Sequence, residues 1–264
     1  MAGGVGLAHT LAGESKCALA FTGEGATSEG EFHEALNVAA VWNLPVLFII
    51  ENNGYGLSTP TREQYACAQL VDRAKGYGME GVQIDGNNIL EVYQTISKLA
   101  KDIRKNPRPI LVECLTFRMR GHEEASGTKY VPQELMDLWA AKDPISNYEN
   151  WLLEEGILNE TEIQTFRKDL KQAIESDLKT VFVMEEVTAS PTKELNDVYQ
   201  PFDAPLTDAS FRFREMRFVD AISDGLAEAM EKHTNLVLMG QDIADYGGVF
   251  KITDGFTERF GEER

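Results

Sequence analysis

Four short, largely apolar runs, each followed by glycine or polar residues, constrain this chain more than any other feature. They are residues 17–22 (CALAFT), 46–50, 81–84 and 110–116. Continuous apolar runs of this length suit strands buried on both faces of a parallel sheet. Between them lie helical patterns. Residues 31–43 carry Phe32, Leu36, Ala39 and Ala40 on one stripe, and Pro45 ends that helix. Residues 64–77 read as a second helix. Residues 89–104 place Leu90, Tyr93, Ile96, Leu99 and Ile103 at helical spacing. Strands alternating with helices predict an α/β fold, a parallel sheet flanked by helices and joined by right-handed crossovers.

In such sheets ligands bind beyond the carboxyl ends of the strands. After the first run come Gly23, Glu24 and Gly25; after the second, Asn52, Asn53, Gly54, Tyr55 and Gly56; after the third, Asp85 and Gly86. After the fourth comes a polar loop, residues 118–122, ending in His122. Glycines, oxygen donors and a histidine gather on one edge, which marks it as the active-site edge.

Charge and composition exclude other classes. Asp and Glu number 43 against 25 Lys plus Arg, a net charge of −18. That balance disfavours nucleic acid or an anionic membrane surface as a partner. The longest apolar run, residues 44–50, is far too short to cross a bilayer. No basic residue precedes Lys16, so neither a signal nor a transit peptide is expected. Cys17, Cys67 and Cys114 are odd in number and widely spaced, which fits neither a disulfide framework nor a cysteine zinc site. The expected compartment is the cytoplasm. Residues 1–13 (MAGGVGLAHTLAG) form a small-residue helix that lets another helix approach closely. They are either the interior of a longer protein whose start is missing or a natural first helix.

The loop GEGATSEG, residues 23–30, presents backbone N–H groups to an anion at a strand-to-helix turn. Three readings compete. A dinucleotide fingerprint wants glycine where Ser28 stands, although Glu51 suits the ribose-binding acid. A nucleoside-triphosphate loop wants lysine after Gly30, where the chain has Glu31. A tight turn without ligand is the third. The second loop decides among them. Gly25 is followed by 26 residues, forming one helix and one strand, and then by Asn52 and Asn53. A carboxylate, an amide oxygen and a loop carbonyl therefore converge beside a helix start. Magnesium takes oxygen ligands and shares them with phosphates, so a magnesium-bridged diphosphate accounts for all of these groups.

At these residues the chain resembles the thiamine-diphosphate enzymes, whose motif is Gly-Asp-Gly, about 25 residues, then Asn-Asn. The longer run GEGATSEGEFHEALNVAAVWNLPVLFIIENNGYGLST is similar to the alpha chain of 2-oxo acid dehydrogenases, the decarboxylating first component of those complexes. VQIDGNNILEVY and VECLTFRMRGH continue the resemblance, which covers residues 1–180. It implies thiamine diphosphate and magnesium as cofactors. It assigns Glu24 and Asn53 as side-chain metal ligands and Tyr55 as a ligand through its carbonyl. Gly23 belongs to the same motif, and Gly25 and Ala26 give N–H groups to the diphosphate. His122 matches the loop histidine that positions the oxo acid and assists acyl transfer to lipoyl. Arg118 and Arg120 either hold carboxylate or phosphate or form a solvated loop edge. His9, His33 and His233 read as helix and helix-end positions without such a role.

Two departures stand out. The family's aspartate is Glu24 here, one methylene longer, which puts metal affinity in question. Animal relatives carry a phosphoserine directly after the histidine. Here that position is Glu123, followed by Glu124, so that switch is expected to be absent.

Residues 132–179 read as a helical tail, with Leu135, Leu138 and Trp139 on one stripe. Residues 190–213, with Pro191, Pro201 and Pro205, read as an extended linker. Beyond it, REMRFVDAISDGLAEAMEKHTNLVLMGQDIADYGGVFKITDGF resembles the start of the beta chain of the same enzymes. This stretch combines a helix over 217–233, a strand over 236–239 and the glycines Gly247 and Gly248. GGVFK leans to the branched-chain, 2-oxoisovalerate type, whereas Gln241 departs from the usual acid. The expected domains are a diphosphate-binding α/β domain over 1–131 with its start missing and a helical tail over 132–185. A linker over 186–214 follows, and then a truncated pyrimidine-binding half over 215–264.

The resemblance implies oxidative decarboxylation of a 2-oxo acid, branched-chain or pyruvate, with a disulfide acceptor. The acyl group passes to lipoyl on a partner acyltransferase, and the fused chain forms a homo-oligomer. The glutamate that activates the cofactor in the family is not in this sequence, so the chain alone is expected to be inactive. The alternatives are a nicotinamide-dependent oxidoreductase and a non-catalytic binding or assembly fragment.

Overall fold

The computed structural model describes all residues except 124, 187, 200, 201, 204, 207 and 209–213. Glu124 and parts of the expected linker, Pro201 included, therefore lie outside the described residues. Two compact units emerge, Met1–Val183 and Met184–Arg264.

The first unit opens with α1 (Ala2–Leu11), followed by β1 (Ala18–Gly23), α2 (Gly30–Val41) and β2 (Val46–Asn52). A small hairpin follows, β3 (Tyr55–Gly56) against β4 (Thr59–Pro60). Next come a short α3 (Arg73–Gly76), β5 (Glu80–Asp85), α4 (Ile89–Ile103) and β6 (Ile110–Leu115). The sheet order is β1-β2-β6-β5, and every pairing in it is parallel.

This order fixes where a ligand can sit. The α2 crossover steps from β1 to its neighbour β2, and the α4 crossover steps back from β5 to β6. Right-handed crossovers that step in opposite directions must lie on opposite faces. The packing agrees. Leu36 and Ala39 of α2 join Val46, Phe48 and Ile50 in one core. Leu99, Ala100 and Ile103 of α4 join Leu47, Ile49 and Val112 in the other. The chain therefore reverses direction across the sheet, and the loops that carry Glu24 and Asn53 lie beyond the carboxyl ends of the neighbouring strands β1 and β2. Alternation along β2 sends successive residues to the two cores, which is why its run is apolar throughout.

Gly6 of α1 is buried, and a Cβ there would lie 2.9 Å from Val46 Cγ2. The small-residue helix thus permits close approach to the start of β2. The helix expected over 64–77 is largely absent. That segment holds one 3₁₀ turn, Leu70–Asp72, running into α3. Its apolar residues are still used, with Leu70 and Ala74 fully buried and Tyr65 and Cys67 packed against the same core. The segment covers the sheet as an irregular strap, and tertiary packing overrides helical spacing.

Three helices complete this unit: α5 (Gln133–Ala140), α6 (Pro144–Glu154) and α7 (Glu160–Phe182). Asp143 caps α6 by accepting from Ser146 N, and Asn159 and Glu162 form a capping box on α7.

The second unit contains α8 (Pro191–Val198), α9 (Phe218–Lys232) and α10 (Phe256–Phe260). The stretch expected as an extended linker thus carries a helix, started by Ser190, whose hydroxyl accepts from Lys193 N, and by Pro191 in the first turn. No strand forms over residues 236–239, and among the described residues of this unit no neighbouring strand offers a ladder. Leu238 N instead donates to Arg264 O. The Arg264 guanidinium donates to the carbonyls of Met230, His233 and Leu236, closing the end of α9. No helix of the described residues is long and apolar enough to cross a membrane.

Candidate functional site

β1 ends at Gly23, and Glu24 opens a 3₁₀ turn over Gly25–Ser28. Thr27 Oγ1 donates to Glu24 O at 2.6 Å, and Arg73 of α3 donates to Thr27 O at 2.7 Å, which holds the turn. In such a turn the first N–H groups, those of Gly25 and Ala26, have no partner within the helix. Glu24 is 1% exposed. Its Oε2 accepts from Asn53 N at 3.0 Å, and its Oε1 is buried with no hydrogen-bond partner. No ion pair among the described residues includes it. A bare carboxylate oxygen in a buried position is a costly arrangement unless a cation completes it.

The second loop is shaped by its asparagines. Asn52 Oδ1 accepts from Gly54 N, and Asn53 Oδ1 accepts from Tyr55 N, both at 3.3 Å. Such side-chain turns suit a chain that reverses sharply after a strand. Gly54 sits at φ +88°, a conformation that an L side chain rarely adopts. The two loops then meet, since a Cβ on Gly25 would lie 3.2 Å from Gly56 Cα. Only a glycine lets the backbones come this close.

Tyr55 is buried among aromatic rings, edge-on to Phe117 and tilted against Tyr130, and Phe117 stacks on Trp139 of α5. This cluster orients the Tyr55 carbonyl, which accepts from Arg118 Nη1 at 3.4 Å. The same guanidinium donates to Leu57 O and to Tyr130 Oη, and its Nη1 lies 3.1 Å from His122 Nδ1. Arg118 has only donors, so Nδ1 is the acceptor, and the neutral imidazole carries its proton on Nε2. Arg118 therefore braces two loops rather than forming a solvated edge. His122 is exposed.

The structure thus brings together Gly25, Glu24, Asn53 and Tyr55, and connects His122 to them through Arg118. His9 pairs with Glu14, His33 bonds to the Tyr77 hydroxyl, and His233 ends α9. Among the described residues no three His, Cys, Asp or Glu side chains cluster so as to hold a metal unaided. The orphaned oxygen of Glu24, beside the Asn53 loop and free N–H groups, fits a magnesium ion that takes its remaining ligands from phosphates and water.

Sequence reasoning missed Glu113. It stands inside β6, is 1% exposed, and accepts from Asn52 Nδ2, Val71 N and Gln83 Nε2. A lone acid in an otherwise apolar parallel strand was the available signal. Burial pushes the Tyr65 phenol up, and the charge of Glu113 adds to this, while hydrogen bonds from Asn52 and Thr61 act the other way. Burial likewise pushes the Cys114 thiol up to about 11, with Glu51 and Glu113 adding to the shift.

The fold and site define a doubly wound α/β protein with a candidate anion- and cation-binding edge beyond the carboxyl ends of β1 and β2. Residues 1–189 match the family described as dehydrogenase E1 component, and the chain belongs to that family. Membership implies thiamine diphosphate as its cofactor. The alpha subunit of acetoin:2,6-dichlorophenolindophenol oxidoreductase from Bacillus subtilis (strain 168) is 38% identical over 186 residues, which is 69% of this chain and 54% of that protein. The 3-methyl-2-oxobutanoate dehydrogenase subunit alpha of Mycobacterium tuberculosis (strain ATCC 25618 / H37Rv) is 39% identical over 155 residues, 58% of this chain and 42% of that one. The mitochondrial 2-oxoisovalerate dehydrogenase subunit alpha 2 of Arabidopsis thaliana is 35% identical over 202 residues, 74% of this chain and 42% of that one. The chain spans about half the length of the curated relatives it matches.

Proposed function

We propose that this chain is the alpha-type part of a 2-oxo acid dehydrogenase E1 component, joined to the beginning of a beta-type half over residues 215–264. Its reaction is oxidative decarboxylation of a branched-chain 2-oxo acid or pyruvate, with the acyl group passing to lipoyl on an acyltransferase. The observation that carries this reading is the buried, unpartnered Oε1 of Glu24 beside the Asn53 loop. When bound, thiamine diphosphate supplies the electron sink that makes loss of carbon dioxide possible. Glu24 and Asn53 hold magnesium through side-chain oxygens and Tyr55 through its carbonyl, while Gly25 and Ala26 turn their N–H groups to the diphosphate. Arg118 fixes the His122 ring so that Nε2 bears the proton offered to the oxo acid. The relatives' names support the substrate class, and the acetoin-named relative makes acetoin a second substrate to assay.

The test is calorimetric titration of thiamine diphosphate with and without magnesium, with NAD as the competing ligand. Magnesium-dependent binding of thiamine diphosphate supports the reading, and binding of NAD without magnesium overturns it. Reduction of an artificial electron acceptor is then followed with 3-methyl-2-oxobutanoate, pyruvate and acetoin, of which only the two oxo acids can release carbon dioxide. The 264-residue chain by itself is expected to turn over none of them, and turnover without an added partner would refute that.

A further inference from the structure

Glu113 is, with Glu24, one of two buried carboxylates among the described residues, and, like Glu24, it has no cation partner among them. It touches none of the groups expected to meet the cofactor. Its register partners are Ile50 on β2 and Gln83 on β5. Ile50 and Leu111 lie in the core shared with α2, so Glu113 points to that face as well. There it collects three neutral donors from three separate elements. Oε1 accepts from Asn52 Nδ2 at 2.7 Å. Oε2 accepts from Val71 N of the strap and from Gln83 Nε2, each at 3.0 Å.

The bond to Asn52 has a consequence one residue further on. An amide has one oxygen and one nitrogen, so fixing the nitrogen toward Glu113 fixes the oxygen on the opposite side. That oxygen accepts from Gly54 N and closes the turn that carries Asn53. An apolar residue at position 113 would avoid the cost of burying a charge but would leave Asn52 free to flip. We propose that Glu113 is a positioning residue for the magnesium-diphosphate site, locking the amide of Asn52 so that the turn presents Asn53 and Tyr55 to the metal. This rests on the thiamine-diphosphate reading above.

The decisive variants follow from donor and acceptor counting. In Glu113→Gln the new amide can accept on one side only. If its oxygen stays with Val71 N and Gln83 Nε2, its N–H₂ faces Asn52, and Asn52 must flip and release Gly54 N. Adding Asn52→Asp repairs the network, because the aspartate accepts from the new amide on one oxygen and from Gly54 N on the other. Gln83→Leu removes a donor of Glu113 that has no link to the turn, and serves as the stability control.

Two readouts are taken on the whole chain. Without ligand, amide exchange at Gly54 and Tyr55 should quicken about tenfold in Glu113→Gln, the usual effect of losing one buried hydrogen bond. It should return to the wild-type rate in the double variant. Magnesium-dependent affinity for thiamine diphosphate should fall about tenfold and recover in the same way. Gln83→Leu should lower Tm and change neither readout. Unchanged exchange at Gly54 in Glu113→Gln, absence of rescue, or an equal loss of affinity in Gln83→Leu would each overturn the proposal. Wild-type protein that binds no thiamine diphosphate with magnesium would instead overturn the functional reading on which it rests.

Discussion

Glu24→Gln should move the protein's stability in opposite directions with and without ligand. The change keeps the side chain's shape and an acceptor for Asn53 N, but removes the charge. Without ligand, the wild-type carboxylate is 1% exposed, with one bare oxygen and no ion pair among the described residues. Burying such a charge costs several kcal/mol, of which a hydrogen bond to a charged acceptor returns about 1.5–3 kcal/mol. The variant trades this for an unsatisfied N–H, costing about 1–3 kcal/mol. The balance favours Glu24→Gln by about 1–2 kcal/mol, a rise in Tm of roughly 2–8 °C. With magnesium and thiamine diphosphate at a hundred times Kd, the wild type gains about 2.7 kcal/mol. The variant, lacking the charged ligand, gains little, so the order of the two Tm values inverts. Scanning calorimetry in chelator, and then with both ligands, reads this directly. A variant less stable than wild type in chelator, with the same ligand-induced rise, would refute the reasoning. Glu24→Asp should keep or improve the ligand response, because the shorter acid is the family's own, whereas Glu24→Ala and Asn53→Ala should each weaken it.

Cys114 should resist alkylation at pH 8, because burial holds its thiol near 11, while the half-buried Cys17 and Cys67 are modified; equal labelling by mass spectrometry would contradict this. Gly25→Ala should cost about 1–3 kcal/mol and weaken cofactor binding, since the new Cβ would press within 3.2 Å of Gly56 backbone; denaturant unfolding and titration check both effects. The Asp143 carboxylate is held below its ordinary value, chiefly by Ser146 N. Its folded value is the lower one, so its contribution to α6 is complete above the ordinary value of 3.8 and is lost as pH falls through the folded one. Helical circular dichroism should therefore drop below about pH 4 in the wild type more than in Asp143→Asn, which keeps a neutral cap.

The parts of the fold legible in the sequence were those fixed by short-range pattern. Each strand of the main sheet announces itself as a largely apolar run, and the first three are followed closely by glycine or asparagine. The loops that gather beyond the carboxyl ends of the strands follow from that order. What the sequence hid depends on long-range partners. The strap over residues 64–77 has helical spacing, yet Val71 N is taken by Glu113, 42 positions away, and the segment settles against the sheet instead. Residues 236–239 have strand composition, but among the described residues no strand lies beside them, and they form none. At the site, Glu24, Asn53 and Tyr55 were legible as a motif. The bracing by Arg118, Tyr130 and Trp139 was not, since nothing in their local sequence shows that they meet.

The position of β1 in the sheet sets a limit on the site. Among the described residues β1 is an edge strand, as β5 is at the other side, and is bonded on one side only, to β2. Glu24 follows this edge strand, and Asn53 follows a central one. A ligand that engages both spans an edge pair of strands, so its binding energy and the local opening energy of β1 are linked. Any change that frees β1 weakens the ligand, even at Phe21, whose side chain is 64% exposed and whose backbone pairs with Ile49. Conversely, a bound ligand should slow amide exchange along β1 more than along β6, which is already paired on both sides.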